Sequence, residues 1–147
     1  MRRTEYMAKA GDPRTLIVRQ IMEDAVFTCS PATTGIAVAQ VLTERNFGSI
    51  PVVDESKALL GLISEFDLIR AMTNGKDLRQ LSAKEIMTPE DDLVTVTEEM
   101  SVMDLARILE ESHLIRVPVV KGNTLVGIVA RRDIVFGYVK SLAHYWP

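Results

Sequence analysis

The feature that most constrains the fold is an internal repeat with a period of about 66 residues. Five landmarks of the first half return in the same order in the second half: Ile21-Met22 as Ile86-Met87, Thr28 as Thr95, Pro51-Val52-Val53 as Pro118-Val119-Val120, Gly61 as Gly127, and Asp67 as Asp133. The offsets are 65, 67, 67, 66 and 66 residues, so the length changes fall in connecting segments, which tolerate insertions. A unit of about 60 residues buries only a modest share of its surface. The two repeats are therefore expected to pack as one body.

Both repeats show the same order of predicted elements. A short β-rich segment (26–29 and 93–96) precedes an amphipathic helix whose N-caps are Thr34 and Ser101. Two apolar runs joined by a polar turn then predict a hairpin at 50–63 and another at 117–129. A second helix begins at Ser64 and at Ala130. The sequence thus predicts an α/β (α+β) fold of two β-α-β-β-α repeats.

The remaining segments set the predicted boundaries of the two repeats. We expect an N-terminal arm at 1–17, a first repeat at 18–70, a linker at 71–82, a second repeat at 83–138 and a tail at 139–147. The linker contains Asn74-Gly75, which is a turn signal. The tail holds Trp146, the single tryptophan of the chain.

Composition excludes several classes of function. The net charge is −3 and basic residues do not cluster with aromatic ones, so no nucleic-acid partner is expected. No apolar run approaches the roughly 20 residues of a membrane span, and no apolar stretch follows Arg2 and Arg3, so we expect no membrane partner and a cytoplasmic location. Two histidines, one cysteine (Cys29) and no glycine-rich nucleotide loop predict neither catalytic residues nor a metal site.

The start of the second helix in each repeat is a candidate binding site. A strand that turns into a helix at Ser64 can offer backbone N–H groups to an anion. Equally, Ser64 and Asp67 have the spacing of a capping box, in which the pair only satisfies the helix end. In the second repeat Ala130 has no hydroxyl, yet Asp133 is present. We take this as favouring a ligand role for the two aspartates.

Three arginines are candidate anion ligands. Arg116 directly precedes Val117-Pro118 at the start of a buried strand, where its guanidinium requires a partner. That partner is either a nearby acid, Glu110 or Glu111, or a phosphate. Arg131 and Arg132 open the last helix, where positive charge opposes the helix dipole. An anion there would explain them, and a solvated helix face is the alternative.

With both repeats in view, the sequence resembles the CBS domain, a module named for cystathionine β-synthase that occurs in pairs. The resemblance rests on Ile-Pro-Val-Val-Asp at 50–54 and Gly-Leu-Ile-Ser-Glu-Phe-Asp at 61–67, with Val-Pro-Val-Val at 117–120 and Gly-Ile-Val-Ala-Arg-Arg-Asp at 127–133. It implies that the repeats pack about a pseudo-two-fold axis. It also implies two clefts between them that hold adenosine-containing ligands.

The resemblance assigns roles to residues of both repeats. The matching acids, Asp67 and Asp133, accept hydrogen bonds from ribose hydroxyls, and Arg116 completes the Asp67 pocket by reaching the phosphate. The first predicted pocket comprises Val26, Phe27, Phe47, Gly48, Ser64, Phe66, Asp67 and Arg116. The second comprises Val94, Leu114, Ile115, Ala130, Arg131, Arg132 and Asp133. For the apolar members a plain core role is an equal alternative.

The functional prediction is a regulatory, non-catalytic sensor of adenine nucleotides. AMP, ADP or ATP is the candidate ligand, with S-adenosylmethionine and NAD as further candidates, and no cofactor is required. We expect a homodimer that signals by conformational change to an effector protein in trans. The alternative is a dimerisation scaffold with degenerate pockets, which the missing hydroxyl at Ala130 and the uncharged Ser49 favour.

Overall fold

The fold is described from a computed structural model, which covers residues 12–142. The expectations for residues 1–11 of the arm and 143–147 of the tail, Trp146 among them, lie outside these described residues. Within them the chain forms two compact units. The first-repeat unit takes 27–93 and 123–125, and the second-repeat unit takes 12–26, 94–122 and 126–142.

The elements of the described chain follow the predicted alternation. The helices are α1 (Val18–Ile21), α2 (Gly35–Arg45), α3 (Glu65–Thr73), α4 (Ala83–Ile86), α5 (Val102–Ser112) and α6 (Arg131–Ser141), with single 3-10 turns at Pro13–Thr15 and Glu90–Asp92. The strands are β1 (Ser49–Val53), β2 (Leu59–Ser64), β3 (Thr88–Pro89), β4 (Arg116–Lys121) and β5 (Thr124–Ala130). The α/β class and the two β-α-β-β-α repeats are confirmed.

The first-repeat unit is built on the hairpin of β1 and β2. These strands pair antiparallel with Ile50 opposite Ile63, and β3 adds to the other edge of β2 with Gly61 opposite Pro89. Helices α2, α3 and α4 bury their apolar side chains against this sheet. The buried cluster comprises Val38, Leu42, Ile50, Val52, Ile63, Leu68, Ala83 and Ile86.

The second-repeat unit repeats the plan with β4 and β5 as a two-stranded sheet. Its core is contributed mostly by α1, α5 and the two strands: Leu16, Val18, Ile21, Met22, Val96, Val102, Leu105, Leu109, Val117, Val119 and Val129. The long helices α2 and α5 have equivalent C-cap residues, Asn46 and His113. Both adopt the left-handed conformation, with φ of 55° and 56°. The repeat seen in the sequence is therefore also a repeat of backbone conformation.

The first β segment of each repeat is shorter than predicted. Only Cys29 and Val96 form bridges, each parallel to the proline-containing strand beside it. Cys29 donates to the Pro51 carbonyl and accepts from the Val53 N–H, both at 3.0 Å. The chain then turns immediately, because the Thr33 N–H bonds the Ser30 carbonyl. One residue of each predicted segment therefore pairs with the neighbouring strand.

Each repeat's leading Ile-Met segment packs in the unit of the other repeat. Met22 lies against Gly127 in the second-repeat unit, and Met87 lies against Gly61 in the first-repeat unit. A Cβ added at either glycine would lie 2.6 Å from the sulfur of the facing methionine. This close approach explains why glycine recurs at both positions.

Candidate functional site

The Asp67 carboxylate is buried at the start of α3 and accepts from four donors. Oδ2 accepts from the Ser64 N–H at 2.8 Å and from the Ser64 hydroxyl at 3.1 Å. Oδ1 accepts from Arg70 Nη1 at 3.2 Å and from the Thr88 hydroxyl at 3.1 Å. The Asp67 N–H in turn bonds Ser64 Oγ at 3.2 Å, which completes a capping box. Asp67 is only 6% exposed, so these bonds satisfy a carboxylate that is costly to bury alone.

Asp133 occupies the equivalent place at the start of α6. It is 3% exposed, and its Oδ2 accepts from the Ala130 N–H at 2.8 Å. The missing hydroxyl at Ala130 therefore does not leave Asp133 without a role at the helix end, and our argument for a ligand role from that missing hydroxyl is wrong. The backbone N–H of residue 130 supplies the donor, and every residue type except proline keeps it. A capping role accounts for both aspartates, and their ribose role stays a prediction.

The turn before each proline-containing strand meets the start of the second helix. The Glu65 N–H donates to the Gly48 carbonyl at 3.2 Å, and the Arg131 N–H donates to the Ile115 carbonyl at 3.0 Å. In each unit a member of the predicted pocket, Gly48 or Ile115, therefore lies next to the helix that carries a predicted ribose acceptor. The two units build this junction in the same way.

The same bonds correct one expectation about the start of α3. The N–H groups of Ser64, Glu65 and Asp67 bond to Asp67, Gly48 and Ser64 respectively. These three N–H groups are not free to bind an anion, because the chain itself satisfies them.

The predicted site residues divide between the units as follows. Of the first set, Phe27, Phe47, Gly48, Ser64, Phe66 and Asp67 lie in the first-repeat unit, whereas Val26 and Arg116 lie in the second-repeat unit. The second set, Val94, Leu114, Ile115, Ala130, Arg131, Arg132 and Asp133, lies wholly in the second-repeat unit. Phe66 is 74% exposed on α3, so it has no core role. Arg116 is half-buried, whereas Arg131 and Arg132 are exposed at the first turn of α6.

A cavity of about 720 Å³ opens in the first-repeat unit between the 27–33 segment, α2 and the end of β1. Phe27 is the predicted site residue that lines it, and Asp67 does not. The guanidinium of Arg45 lies 4.8 Å from the centre of the Phe27 ring. Cys29 also lines the cavity, and burial raises the pKa of its thiol to about 11. The thiol is therefore neutral at physiological pH, which fits a packing residue.

Sequence reasoning missed two residues that touch the Asp67 carboxylate. Arg70 could have been found, because it lies three residues after Asp67 on the same helix face. Thr88 lies 21 residues further along the chain than Asp67, in β3. No local pattern in the sequence connects Thr88 to α3.

Two further features of residues 12–142 concern metal ions and membranes. No three His, Cys, Asp or Glu side chains there are grouped so that they could hold a metal ion. None of the helices in this part of the chain is both long enough and apolar enough to span a membrane.

Two related units, each with a hairpin, two flanking helices and a capped, buried aspartate, define a tandem-repeat α+β protein. The profile of the CBS domain matches residues 18–74 and again 83–140. The chain therefore belongs to the CBS-domain family, and the resemblance seen in the sequence is confirmed.

The relatives agree with this assignment. The chain is 34% identical over 118 residues to the CBS domain-containing protein YhcV of Bacillus subtilis, covering 80% of this chain and 81% of that protein. It is 32% identical over 123 residues to the uncharacterized protein MK0525 of Methanopyrus kandleri, covering 82% of this chain. It spans 62% of the length of MK0525. Neither name denotes an enzyme.

Among solved structures, the chain is similar to the CBS domain pair of protein MJ0100. The identity is 28% and the TM-score 0.72, with 82% of this chain and 94% of that one covered. That domain pair was crystallised in complex with 5′-methylthioadenosine and S-adenosyl-L-methionine.

Proposed function

We propose that this protein is a regulatory, non-catalytic module that binds adenosine-containing ligands and passes the signal to a partner protein by conformational change. The observation that carries the proposal is the junction repeated in both units. In each, a buried aspartate at a helix start lies beside the turn before the proline-containing strand, at Gly48–Glu65 and at Ile115–Arg131. The similar MJ0100 domain pair holds two adenosine-containing ligands, which indicates the ligand class.

The chemistry of a carboxylate suits this ligand class. A ribose presents two adjacent hydroxyl donors, and each oxygen of an ionised carboxylate can accept about two hydrogen bonds. Hydrogen bonds to a charged acceptor are stronger than those between neutral groups. In our proposal Asp67 and Asp133 each accept from one diol, and the backbone beside Gly48 and Ile115 flanks the base.

Phosphorylated ligands, AMP, ADP or ATP, are the members of the class that we favour. Arg116, Arg131 and Arg132 place three guanidinium groups in the second-repeat unit, and the last two are exposed at the start of α6. Their charge opposes the dipole of that helix, and a bound phosphate would offset the repulsion.

The assembled form that we propose is a homodimer. Helix α3 exposes Phe66, Ile69 and Met72 along one face, with 74%, 50% and 57% of their surfaces accessible. Helix α6 likewise exposes Val135 and Tyr138. Apolar faces of this kind are suited to symmetric association, and a second copy of the chain offers the same faces.

One observation favours a second function, a scaffold that binds no nucleotide. The Asp67 carboxylate already receives four hydrogen bonds from its own chain, and a carboxylate has only about four lone-pair sites. A ligand at Asp67 must therefore displace internal donors. A scaffold would keep them in place permanently.

Binding measurements separate the two functions. We expect at least one of AMP, ADP, ATP, S-adenosylmethionine, 5′-methylthioadenosine or NAD to raise the melting temperature. A ligand at 100 times its Kd stabilises by about 2.7 kcal/mol, which corresponds to roughly 5–10 °C for a chain of this length. If none of the six changes the melting temperature and calorimetry detects no binding, the scaffold function is correct.

Substitutions then test the residues. Asp67→Asn and Asp133→Asn keep size and polarity but remove the charge, and each is expected to weaken the ligand at least tenfold. Asp104→Asn is the matched control, because Asp104 also lies in a first helical turn and pairs with an arginine three residues later, at 2.8 Å. Equal affinity of all three variants would contradict the assigned roles.

A further inference from the structure

The two oxygens of the Asp67 carboxylate have different kinds of partner. Both donors to Oδ2 belong to Ser64, the N-cap of the same helix. Both donors to Oδ1, Arg70 and Thr88, lie outside the cap. The two sets of bonds can therefore be broken independently.

The donors to Oδ2 are held by the helix cap: one is the Ser64 backbone N–H, and the other is the Ser64 hydroxyl, whose oxygen accepts from the Asp67 N–H. The Ser64 N–H points to Oδ2 because Ser64 has the extended conformation of an N-cap and Asp67 is the third residue of the helix. Removing these bonds would leave the first turn of α3 without its cap, which typically costs about 1 kcal/mol. Oδ2 therefore stays with the cap whether or not a ligand is present.

The donors to Oδ1 can leave without unfolding the helix. The Arg70 side chain is 67% exposed, so it can move into water, where a guanidinium is well solvated. The Thr88 hydroxyl needs only a rotation about its Cα–Cβ bond, and Thr88 is half-buried in the two-residue strand β3. Oδ1 is thus the oxygen at which an incoming hydroxyl can replace a protein donor.

We propose that Arg70 and Thr88 set the affinity of the Asp67 site by competing with the ligand for Oδ1. The inference rests on the proposed function, since it concerns a ligand whose hydroxyls bind Asp67. Each ligand hydroxyl that bonds to Oδ1 displaces one internal hydrogen bond. The measured binding free energy therefore reflects the ligand's hydrogen bond minus the internal hydrogen bond that it replaces. Arg70 and Thr88 are affinity-determining residues that need not touch the ligand.

Competition for Oδ1 predicts an effect on ligand affinity that a purely structural role does not. Loss of a stabilising bond lowers the stability of the free protein, and a purely structural residue would leave ligand affinity equal or weaker when removed. Loss of a competitor instead makes the ligand bind more tightly. Thr88→Val and Arg70→Met each remove one donor to Oδ1 while keeping a side chain of similar size.

The test is calorimetric titration of adenosine, which offers the ribose diol without phosphate, into the whole chain and its variants. We expect Thr88→Val and Arg70→Met to bind adenosine about tenfold more tightly, which equals about 1.4 kcal/mol, the size of one net hydrogen bond. Their melting temperatures without ligand fall. The titration is repeated with the same proteins carrying Asp133→Asn as a second substitution, so that Asp67 is the remaining one of the two proposed ribose acceptors.

Two control variants match the test variants. Arg107→Met removes an arginine that pairs with Asp104 at the same helical spacing, and Thr43→Val removes a hydroxyl that bonds backbone carbonyls of α2. Both are expected to bind adenosine like the unchanged protein. Binding by the unchanged protein, with neither Thr88→Val nor Arg70→Met tighter, overturns this inference alone. Absence of adenosine binding by every protein in the series, together with no response to the six ligands above, refutes the proposed function as well.

Discussion

Replacing Gly61 by alanine tests how tightly β3 and the segment before it pack against the hairpin. A Cβ at this position would lie 2.6 Å from Met87 Sδ, 2.9 Å from Met87 Cγ and 2.6 Å from the Thr88 carbonyl oxygen. The methionine can adopt another rotamer, but the carbonyl belongs to the backbone of β3. The substitution therefore forces β3 away from β2, at two residues that pair with Leu62 and Gly61.

The loss in free energy of unfolding caused by Gly61→Ala follows from these distances. Inserting a methyl group into a well-packed site costs about 1–3 kcal/mol, and the displaced β2–β3 pairing places Gly61→Ala at the upper end of that range. Since 1 kcal/mol shifts the melting temperature by about 2–4 °C at this chain length, we expect a fall of roughly 6–12 °C by differential scanning calorimetry.

Alanine substitutions at two further glycines serve as comparisons for Gly61→Ala. At Gly127 the nearest atom is again a methionine sulfur, Met22 Sδ at 2.6 Å, but the nearest backbone atom is 3.1 Å away. Gly127→Ala is therefore expected to cost less than Gly61→Ala. At Gly48 the nearest atom is 3.9 Å away, so Gly48→Ala serves as the control, with a change within about 0.5 kcal/mol. Equal melting temperatures for Gly61→Ala and Gly48→Ala would refute the packing argument.

Three other predictions concern reactivity, ligand choice and assembly. Burial raises the pKa of Cys29 to about 11 from 9.0, so its thiolate fraction at pH 8 is about a hundredfold below that of an ordinary thiol. The rate of alkylation of Cys29 should be correspondingly low and should increase with pH. An alkylation rate equal to that of the urea-unfolded chain contradicts this prediction. Arg116→Ala should weaken AMP roughly tenfold to a hundredfold and adenosine far less, as titration of both ligands will measure; equal losses argue against a phosphate contact. Analytical ultracentrifugation should find a dimer, and a monomer at all concentrations removes that proposal.

The sequence was sufficient for the hairpins and the long helices because their signals are local. Thr34, Ser64 and Ser101 cap helices as predicted, since each side chain accepts a backbone N–H within the next three residues. The turn after Val53 is likewise local, because Asp54 bonds the N–H groups of Ser56 and Ala58. The spacing of these residues along the chain is therefore enough to predict the helix caps and the turn.

The details of the candidate site depend on contacts that spacing does not contain. The sequence interprets Asp133 from the side chain three residues earlier, whereas in the fold Asp133 Oδ2 accepts from the backbone N–H of Ala130, which no residue identity reveals. Thr88 reaches Asp67 only because β3 pairs with β2. A two-residue strand has too little pattern to predict, so the contact required the folded chain.

Met22 packs on Gly127 and Met87 packs on Gly61. The repeat defined by the sequence therefore does not coincide with the compact unit of the structure. The family profile begins each repeat before its Ile-Met pair, at 18 and 83, while the compact units change over after Val26 and after Leu93. Cutting the gene at the repeat boundary would give each half the wrong partner for its hairpin. A fragment that keeps the first-repeat hairpin together with α4 and β3 runs from 27 to 93 rather than from 18 to 82.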